Sequence, residues 1–233
     1  FSAASHELKT PITIIKGQLS GMLDGIGAYA NRDKYLARSL TVLGQMEGLV
    51  QELLTLCRME QTAAPSMTPV DLAACTQECI REYAGLFEQR KLLLHVHLTP
   101  GLWILGNPAL LGKAIRNVLS NGALYSPPGA TLNIATYRDD RMAIVTVENG
   151  GVHLDPEVLP HLFEAFYRAD PSRSRQTGGS GLGLYLVKII LNQHGAVGDI
   201  LNTAQGVCVK MQFPLETAPD LQEKTSSEHT QPH

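Results

Sequence analysis

The sequence predicts an α+β chain in two parts: an N-terminal helical hairpin, then an α/β sandwich built on a mixed sheet. Three observations lead there. Apolar residues recur on a seven-residue repeat across roughly the first sixty positions. A short polar, turn-rich stretch ends that repeat. Beyond it, helical and strand-like segments follow one another in mixed order, and the late strands come in pairs joined by tight turns, a hairpin pattern rather than a crossover one.

In the first part, Phe1, Leu8, Ile12, Ile15, Leu19 and Met22 form the stripe of a helix ending near residue 27. Gly25 to Asp33 breaks it. A second helix is expected over 34–59, where Leu36, Leu43, Val50 and Cys57 recur every seven residues with Met46 and Leu53 between them. One hairpin cannot bury both stripes, whereas two hairpins from two chains make a four-helix bundle. A homodimer is therefore expected, with packing of the stripes on the second part as the other possibility. The boundaries read as 1–60 for the hairpin domain, 61–67 for the linker, 68–215 for the sandwich and 216–233 for a polar, disordered tail.

Within 68–215, Asp71 caps a helix running to about residue 90. Strands follow at 92–98 and 103–105. Asn107 and Pro108 open a helix in the N-cap and first-position roles, and Ser126-Pro127-Pro128-Gly129 ends it. Strands fit 131–138 and 142–148, a short helix 156–164, a polar loop 165–180, a helix 181–193, and two closing strands 197–203 and 207–213.

Composition narrows the function classes. The chain has 233 residues, 44% hydrophobic and 18% charged, with a net charge of −3. That balance gives no basis for nucleic-acid binding. No run of about 18 apolar residues exists, so no membrane-spanning segment is expected. Cysteines at 57, 75, 79 and 208 are not a secreted disulfide framework, which favours a reducing cytosol. The chain starts with Phe1 inside a helical pattern, so it reads as the cytoplasmic part of a longer protein. Cys75, Cys79, His95 and His97 are metal-capable types, but without C-x-x-C spacing and amid apolar neighbours they read as packing rather than zinc ligands.

The chemistry-bearing stretch of the hairpin is Ser5-His6-Glu7-Leu8-Lys9-Thr10-Pro11. His6 and Thr10 share a helix face, with Glu7 beside them. Pro11 should kink the helix just beyond. An imidazole with one nitrogen free and a carboxylate near the other is a competent nucleophile. This run resembles the phosphoacceptor box of sensor histidine kinases. The resemblance implies that His6 takes a phosphoryl group from ATP and passes it to an aspartate on the receiver domain of a response regulator. Glu7 would hold the second imidazole proton. Thr10 would orient a water for dephosphorylation of that partner.

The second part carries four further pieces in the order of the same family, and no G-x-x-x-x-G-K-[ST]. Asn117 and Asn121 lie four apart on one helix face, where an amide oxygen can ligate Mg²⁺. Tyr125 continues that face and can stack on a base. Asn149 follows Val145 and Val147 on the inward side of a strand, with Glu148 on the other side. Phe163-Glu164-Ala165-Phe166-Tyr167-Arg168 offers two aromatic anchors and a cation for the γ-phosphate. Gly179, Ser180, Gly181, Leu182 and Gly183 open a helix whose N-terminus favours anions.

By resemblance, Asn121 holds the metal, Asn117 and Asn121 hold phosphates, Tyr125 packs on adenine, and Asn149 with Gly151 forms the adenine pocket. ATP and Mg²⁺ are the implied cofactors. The family usually has Asp where this chain has Asn149, whose amide oxygen still accepts a hydrogen bond. It usually has Gly at His153 and Lys at Leu124, the latter a loss that Lys113 or Arg116 would have to offset. Runs at 163–168 and 172–184 resemble the glycopeptide-resistance sensors. Two other classes share parts of the pattern: a gyrase-like ATPase, in whose superfamily a Glu stands at the position of Asn117, and a non-catalytic pseudokinase or scaffold. For the kinase, the full-length protein is expected in the cell membrane.

Overall fold

The computed structural model describes residues 2–61, 66–169 and 179–216. These fall into two compact units, Phe1–Ala64 with His153–Ile189, and Pro65–Val152 with Ile190–His233. The expected tail lies outside the described residues from 217 onward, as do 62–65 of the linker and 170–178 of the loop.

The first unit contains the hairpin. Helix α1 (Ser2–Asp24) continues through Pro11, and α2 (Arg32–Gln61) runs back beside it. Gly25 and Gly27, at φ 64° and 54°, turn the chain through conformations that favour glycine. Met22, Leu49 and Leu56 of the hairpin are buried, and Ser39 Oγ donates to Gln18 Oε1 at 2.6 Å across it. That buried polar pair fixes the register of the two helices, since a slip would orphan both groups. Ile12, Leu19, Leu36, Leu40, Leu43, Val50 and Leu54 remain exposed.

The second unit holds the sheet. Strand β1 (Thr68–Asp71) pairs antiparallel with β3 (Trp103–Gly106) in a separate two-stranded ladder. Five strands, β2 (Leu93–Leu98), β4 (Thr131–Asp139), β5 (Met142–Gly150), β6 (Val197–Asn202) and β7 (Gly206–Pro214), form a sheet in the order β2-β4-β5-β7-β6. Only β2–β4 is parallel, so the sheet is mixed, as expected. Helix α3 (Leu72–Glu82) packs on α5 (Pro108–Tyr125), and α5 packs on β5. A short α4 (Ala84–Gln89) lies between α3 and β2. Helix α6 (Gly183–Gln193) belongs to the first unit through Ile189 and to the second from Ile190, and it buries Leu186, Val187, Ile190 and Leu191. No helix among the described residues is long and apolar enough to cross a membrane.

Two expected elements differ. The helix expected from Asp71 to about residue 90 breaks at Tyr83 into α3 and α4. The helix expected over 156–164 is absent, and only a 3₁₀ turn, Leu159–His161, forms there. Pro160 explains it: proline removes an N–H and its ring disfavours helical geometry in the residue before it.

Both expected caps form. Asp71 Oδ1 accepts from Ala73 and Ala74 N–H at 2.9 and 3.4 Å, and Asn107 Oδ1 accepts from Leu110 N–H at 3.1 Å.

Candidate functional site

In the first unit, His6 lies on an exposed position of α1, and its ring makes no hydrogen bond among the described residues. The imidazole is therefore open to an incoming group. Thr10 Oγ1 donates back to the His6 carbonyl at 3.3 Å, a bond that holds its hydroxyl along the helix. Glu7 turns to a distant partner, and its carboxylate takes a 2.7 Å hydrogen bond from Arg168 Nη2. Both side chains are mostly buried, with 24% and 28% of Arg168 and Glu7 accessible. Arg168 Nε is buried without a hydrogen-bond partner. The sequence reading set Glu7 beside His6 and Arg168 beside a phosphate; the structure brings these two to each other.

The glycine-rich turn is built around Gly181. Its φ is 75°, and a Cβ there would lie 2.8 Å from the Phe166 carbonyl carbon. Only glycine allows that approach. Phe166, itself at φ 65°, donates its N–H to Gly181 O at 2.9 Å. Ser180 Oγ accepts from Leu182 N–H at 3.1 Å. That same hydroxyl donates to the Glu52 carboxylate of α2. Glu52 carries no local motif, and the sequence reading missed it.

In the second unit, helix α5 supplies one row of polar groups. Lys113, Asn117 and Asn121 follow at spacings of four, so they share a face. Asn117 Nδ2 donates to Lys113 O at 3.0 Å. This orients the amide and leaves Oδ1 as an open acceptor. Asn121 is half-buried and its amide makes no hydrogen bond among the described residues. Two partly shielded amide oxygens in a row suit a hard divalent cation. Arg116 is committed elsewhere: its Nη1 lies 3.2 Å from Glu82 Oε2 on α3. Of the two cations considered as substitutes at Leu124, only Lys113 lies on the asparagine face.

Close packing brings this row toward the end of β5. A Cβ on Gly122 would meet Leu132 at 2.9 Å and Val147 at 3.3 Å, so α5 lies hard against β4 and β5 beside Asn121. Leu132 is the register partner of Asn149. Asn149 is 9% exposed and, as expected, lies opposite in facing to Glu148. Its amide makes no hydrogen bond among the described residues. Glu148 is engaged by Thr203 Oγ1 at 2.5 Å and Asn133 Nδ2 at 2.8 Å. Gly206 lets β7 pass this point, since a Cβ there would lie 2.0 Å from Asn149 O. Gly151 sits at φ 78° and donates its N–H to Gln205 O at 2.9 Å. His153 is not among the residues with positive φ, so its backbone does not require the glycine the family usually has.

Tyr125 is 41% exposed at the last position of α5. The end of that helix is fixed by Arg90, whose Nε donates to Ala123 O at 3.2 Å and whose Nη2 donates to Leu124 O and Ser126 O at 3.0 and 2.9 Å. It serves three carbonyls that the helix leaves unpaired. The sequence reading missed Arg90 because 33 to 36 residues separate it from those carbonyls.

His194 follows the last residue of α6, where a charged ring would complement the helix dipole. It is buried, its Nδ1 lies 2.7 Å from Ile190 O, and its Nε2 accepts from Asn107 N–H at 3.0 Å. Those two bonds fix a neutral tautomer, and burial lowers its pKa below the ordinary 6.5. It therefore acts as a neutral strut rather than a cation.

Residues 1–62 match the His Kinase A (phospho-acceptor) domain, and residues 106–217 match the family described as histidine kinase-, DNA gyrase B- and HSP90-like ATPase. The chain is 33% identical over 215 residues to the sensor protein VanSB of Enterococcus faecalis, covering 92% of this chain and 48% of that one. It is 34% identical over 194 residues to the phosphate regulon sensor protein PhoR of Pseudomonas aeruginosa, covering 82% and 44%. It thus spans about half the length of the curated relatives it matches. Among solved structures, the Acinetobacter baumannii histidine kinase AdeS superposes with a TM-score of 0.73 at 22% identity, covering 91% of this chain and 98% of that one. The histidine kinase ThkA, solved in complex with the response regulator protein TrrA, superposes at 0.75 and 17%, covering 91% and 60%. These two likenesses are of fold. With both domains matched in this order, and sensor relatives aligned over 82% to 92% of its residues, the chain belongs to the sensor histidine kinases of two-component systems.

Proposed function

We propose that this chain is the kinase core of its sensor: it binds Mg-ATP, phosphorylates itself on His6 and passes the phosphoryl group to a response-regulator aspartate. The observation that carries this reading is an exposed, unengaged imidazole on α1 in a chain that also carries the open asparagine row of α5. His6 attacks the γ-phosphorus; the bond from phosphorus to the bridging β–γ oxygen breaks and ADP leaves. Glu7 accepts the second imidazole proton, which requires it to leave Arg168. Arg168, once released, stabilises charge on the transferring group. Asn149 accepts from the adenine amino group. Gly151, Gly179 and Gly183 let backbone approach the nucleotide. Asn121 would hold Mg²⁺, with Asn117 beside it toward the phosphates, and the ion when bound would screen phosphate charge.

Dimerisation through the exposed apolar face of the hairpin fits this reading, as does a regulator partner, since ThkA was solved with one. The domain division at about 60 and 68 is proposed with it, and so are the phosphatase role of Thr10 and the placement of this core on the cytoplasmic side of a membrane sensor. Incubation with γ-labelled ATP tests the proposal. Acid-labile label on the protein supports it. Free phosphate alone would instead mark an ATPase, and neither product a scaffold.

A further inference from the structure

We propose, resting on the reading of Tyr125 and Gly151 as adenine-site residues, that Arg90 is a positioning residue for the base end of the nucleotide site. It sets Tyr125 and the turn beside Gly151 through the backbone at the end of α5. Arg90 lies in the stretch 63–105, between the two matched domains. The need for it begins with two prolines. In a continuing helix the Ala123 carbonyl would accept from residue 127 and the Leu124 carbonyl from residue 128. Both positions are proline and have no N–H to give. Helix α5 stops at Tyr125, and Ser126 is extended at ψ 138°. Ser126 serves the preceding turn, where its N–H and its hydroxyl both donate to Gly122 O.

Arg90 supplies the missing donors. Its Nε reaches Ala123 O at 3.2 Å, and its Nη2 reaches Leu124 O at 3.0 Å and Ser126 O at 2.9 Å. Residues 124 and 126 flank Tyr125, so one guanidinium holds the chain on both sides of it. Its positive charge also complements the negative end of the helix. Arg90 is itself anchored as the C-cap of α4, where its N–H donates to Leu86 O at 3.0 Å and Phe87 is 1% exposed. The groups held this way edge the base site. Tyr125 lies one turn beyond Asn121 on the same face of α5. The turn after Ser126 passes beside Gly151, where a Cβ would lie 3.6 Å from Pro127 Cγ. Asn117 and Asn121 lie one and two turns further back, within the helix's own hydrogen-bond ladder. Loss of Arg90 therefore frees the last turn and Tyr125 while the asparagine row stays in place.

The test titrates the full chain and its variants with Mg-ATP and with Mg-tripolyphosphate, which carries the phosphates without a base. Arg90→Met keeps the apolar stem and removes every donor. It should bind Mg-ATP about tenfold more weakly, the scale of one lost charge-assisted hydrogen bond, and bind tripolyphosphate as the parent does. Arg90→Lys, a point charge in place of a planar fork, should fall between the two. With γ-labelled ATP, Arg90→Met should raise KM and leave kcat at saturation in place. Parental ATP affinity in Arg90→Met would overturn the proposal. Equal losses for ATP and tripolyphosphate, or a lowered kcat, would overturn it too, as marks of a merely structural role. If Arg90→Met fails to fold, Arg90→Lys decides by the same comparison. Tyr125→Ala tests the premise separately: full ATP affinity there would take Tyr125 off the base and end the proposal, whereas weakened binding leaves the Arg90 variants to decide. A parent chain that binds no ATP would sink the kinase reading itself, before any variant is compared.

Discussion

Arg168 Nη2 donates to a Glu7 carboxylate oxygen at 2.7 Å, joining residues 161 positions apart in the chain. One is the acid beside the candidate nucleophile; the other is the cation assigned to the phosphate. While paired, neither is free for its proposed role, so the contact opposes the chemistry and favours the packed arrangement. A double-mutant cycle on Glu7→Ala and Arg168→Ala, read by chemical denaturation, should give a favourable coupling of about 0.5–1 kcal/mol for so partly exposed a pair. Strict additivity would show that the pair contributes nothing. Both variants should also label more slowly with γ-labelled ATP.

Gly181 and Phe166 form the second long-range constraint of this unit. Gly181→Ala forces a Cβ to within 2.8 Å of Phe166 backbone at a φ of 75°. A left-handed backbone costs an ordinary residue about 1–2 kcal/mol before any clash. The Phe166 N–H, which donates to Gly181 O, should then exchange its hydrogen faster. Unchanged exchange at that amide would contradict the close approach.

Asn149 should read the base through its amide oxygen. GTP presents a carbonyl where ATP presents an amino group, and two opposed buried acceptors cost about 1–3 kcal/mol. Because an amide can rotate and offer its NH₂, Asn149→Asp should widen the preference for ATP over GTP. Asn149→Ala should weaken ATP binding with little change in the labelling rate at saturation. Equal ATP affinity in all three chains would remove Asn149 from the pocket. Glu148, held by Thr203 and Asn133, is not available to replace it.

His194 gives the fold an acid sensitivity. Its folded pKa lies below 6.5 because burial disfavours the charged ring. The unfolded chain therefore binds a proton first as pH falls, and stability present above pH 6.5 is lost as the pH drops through that value toward the folded pKa. Denaturation midpoints compared between about pH 8 and pH 5 should fall less in His194→Gln than in the parent. An equal fall in both would show that His194 is not the source.

Much of this was legible in the sequence because it is local. Asp71 and Asn107 announce their helices through cap chemistry that spans three residues. The strand pairs 131–138 with 142–148 and 197–203 with 207–213 sit across short turns, and their bounds shift by no more than two residues. The seven-residue stripe gave the hairpin. The failures are either long-range or a local rule underweighted. Strand β1 exists because Thr68–Asp71 finds Trp103–Gly106 across some 35 residues. Arg90 and Glu52 act on carbonyls and a hydroxyl far along the chain. The 156–164 helix fails for a local reason, Pro160, whose missing N–H and ring are visible in the sequence. Within the candidate site, the facing of Asn117, Asn121 and Asn149 followed from helical and strand periods, whereas the partner of Glu7 did not.

The central claim is that His6 carries the phosphoryl group. The most direct measurement is incubation of the full chain and its His6→Gln variant with γ-labelled ATP, alongside ATP affinity for both. His6→Gln should take up no acid-labile label while its ATP affinity stays within about threefold of the parent, since an interaction confined to the transition state leaves ground-state binding intact. Acid-labile label persisting on His6→Gln would contradict the account.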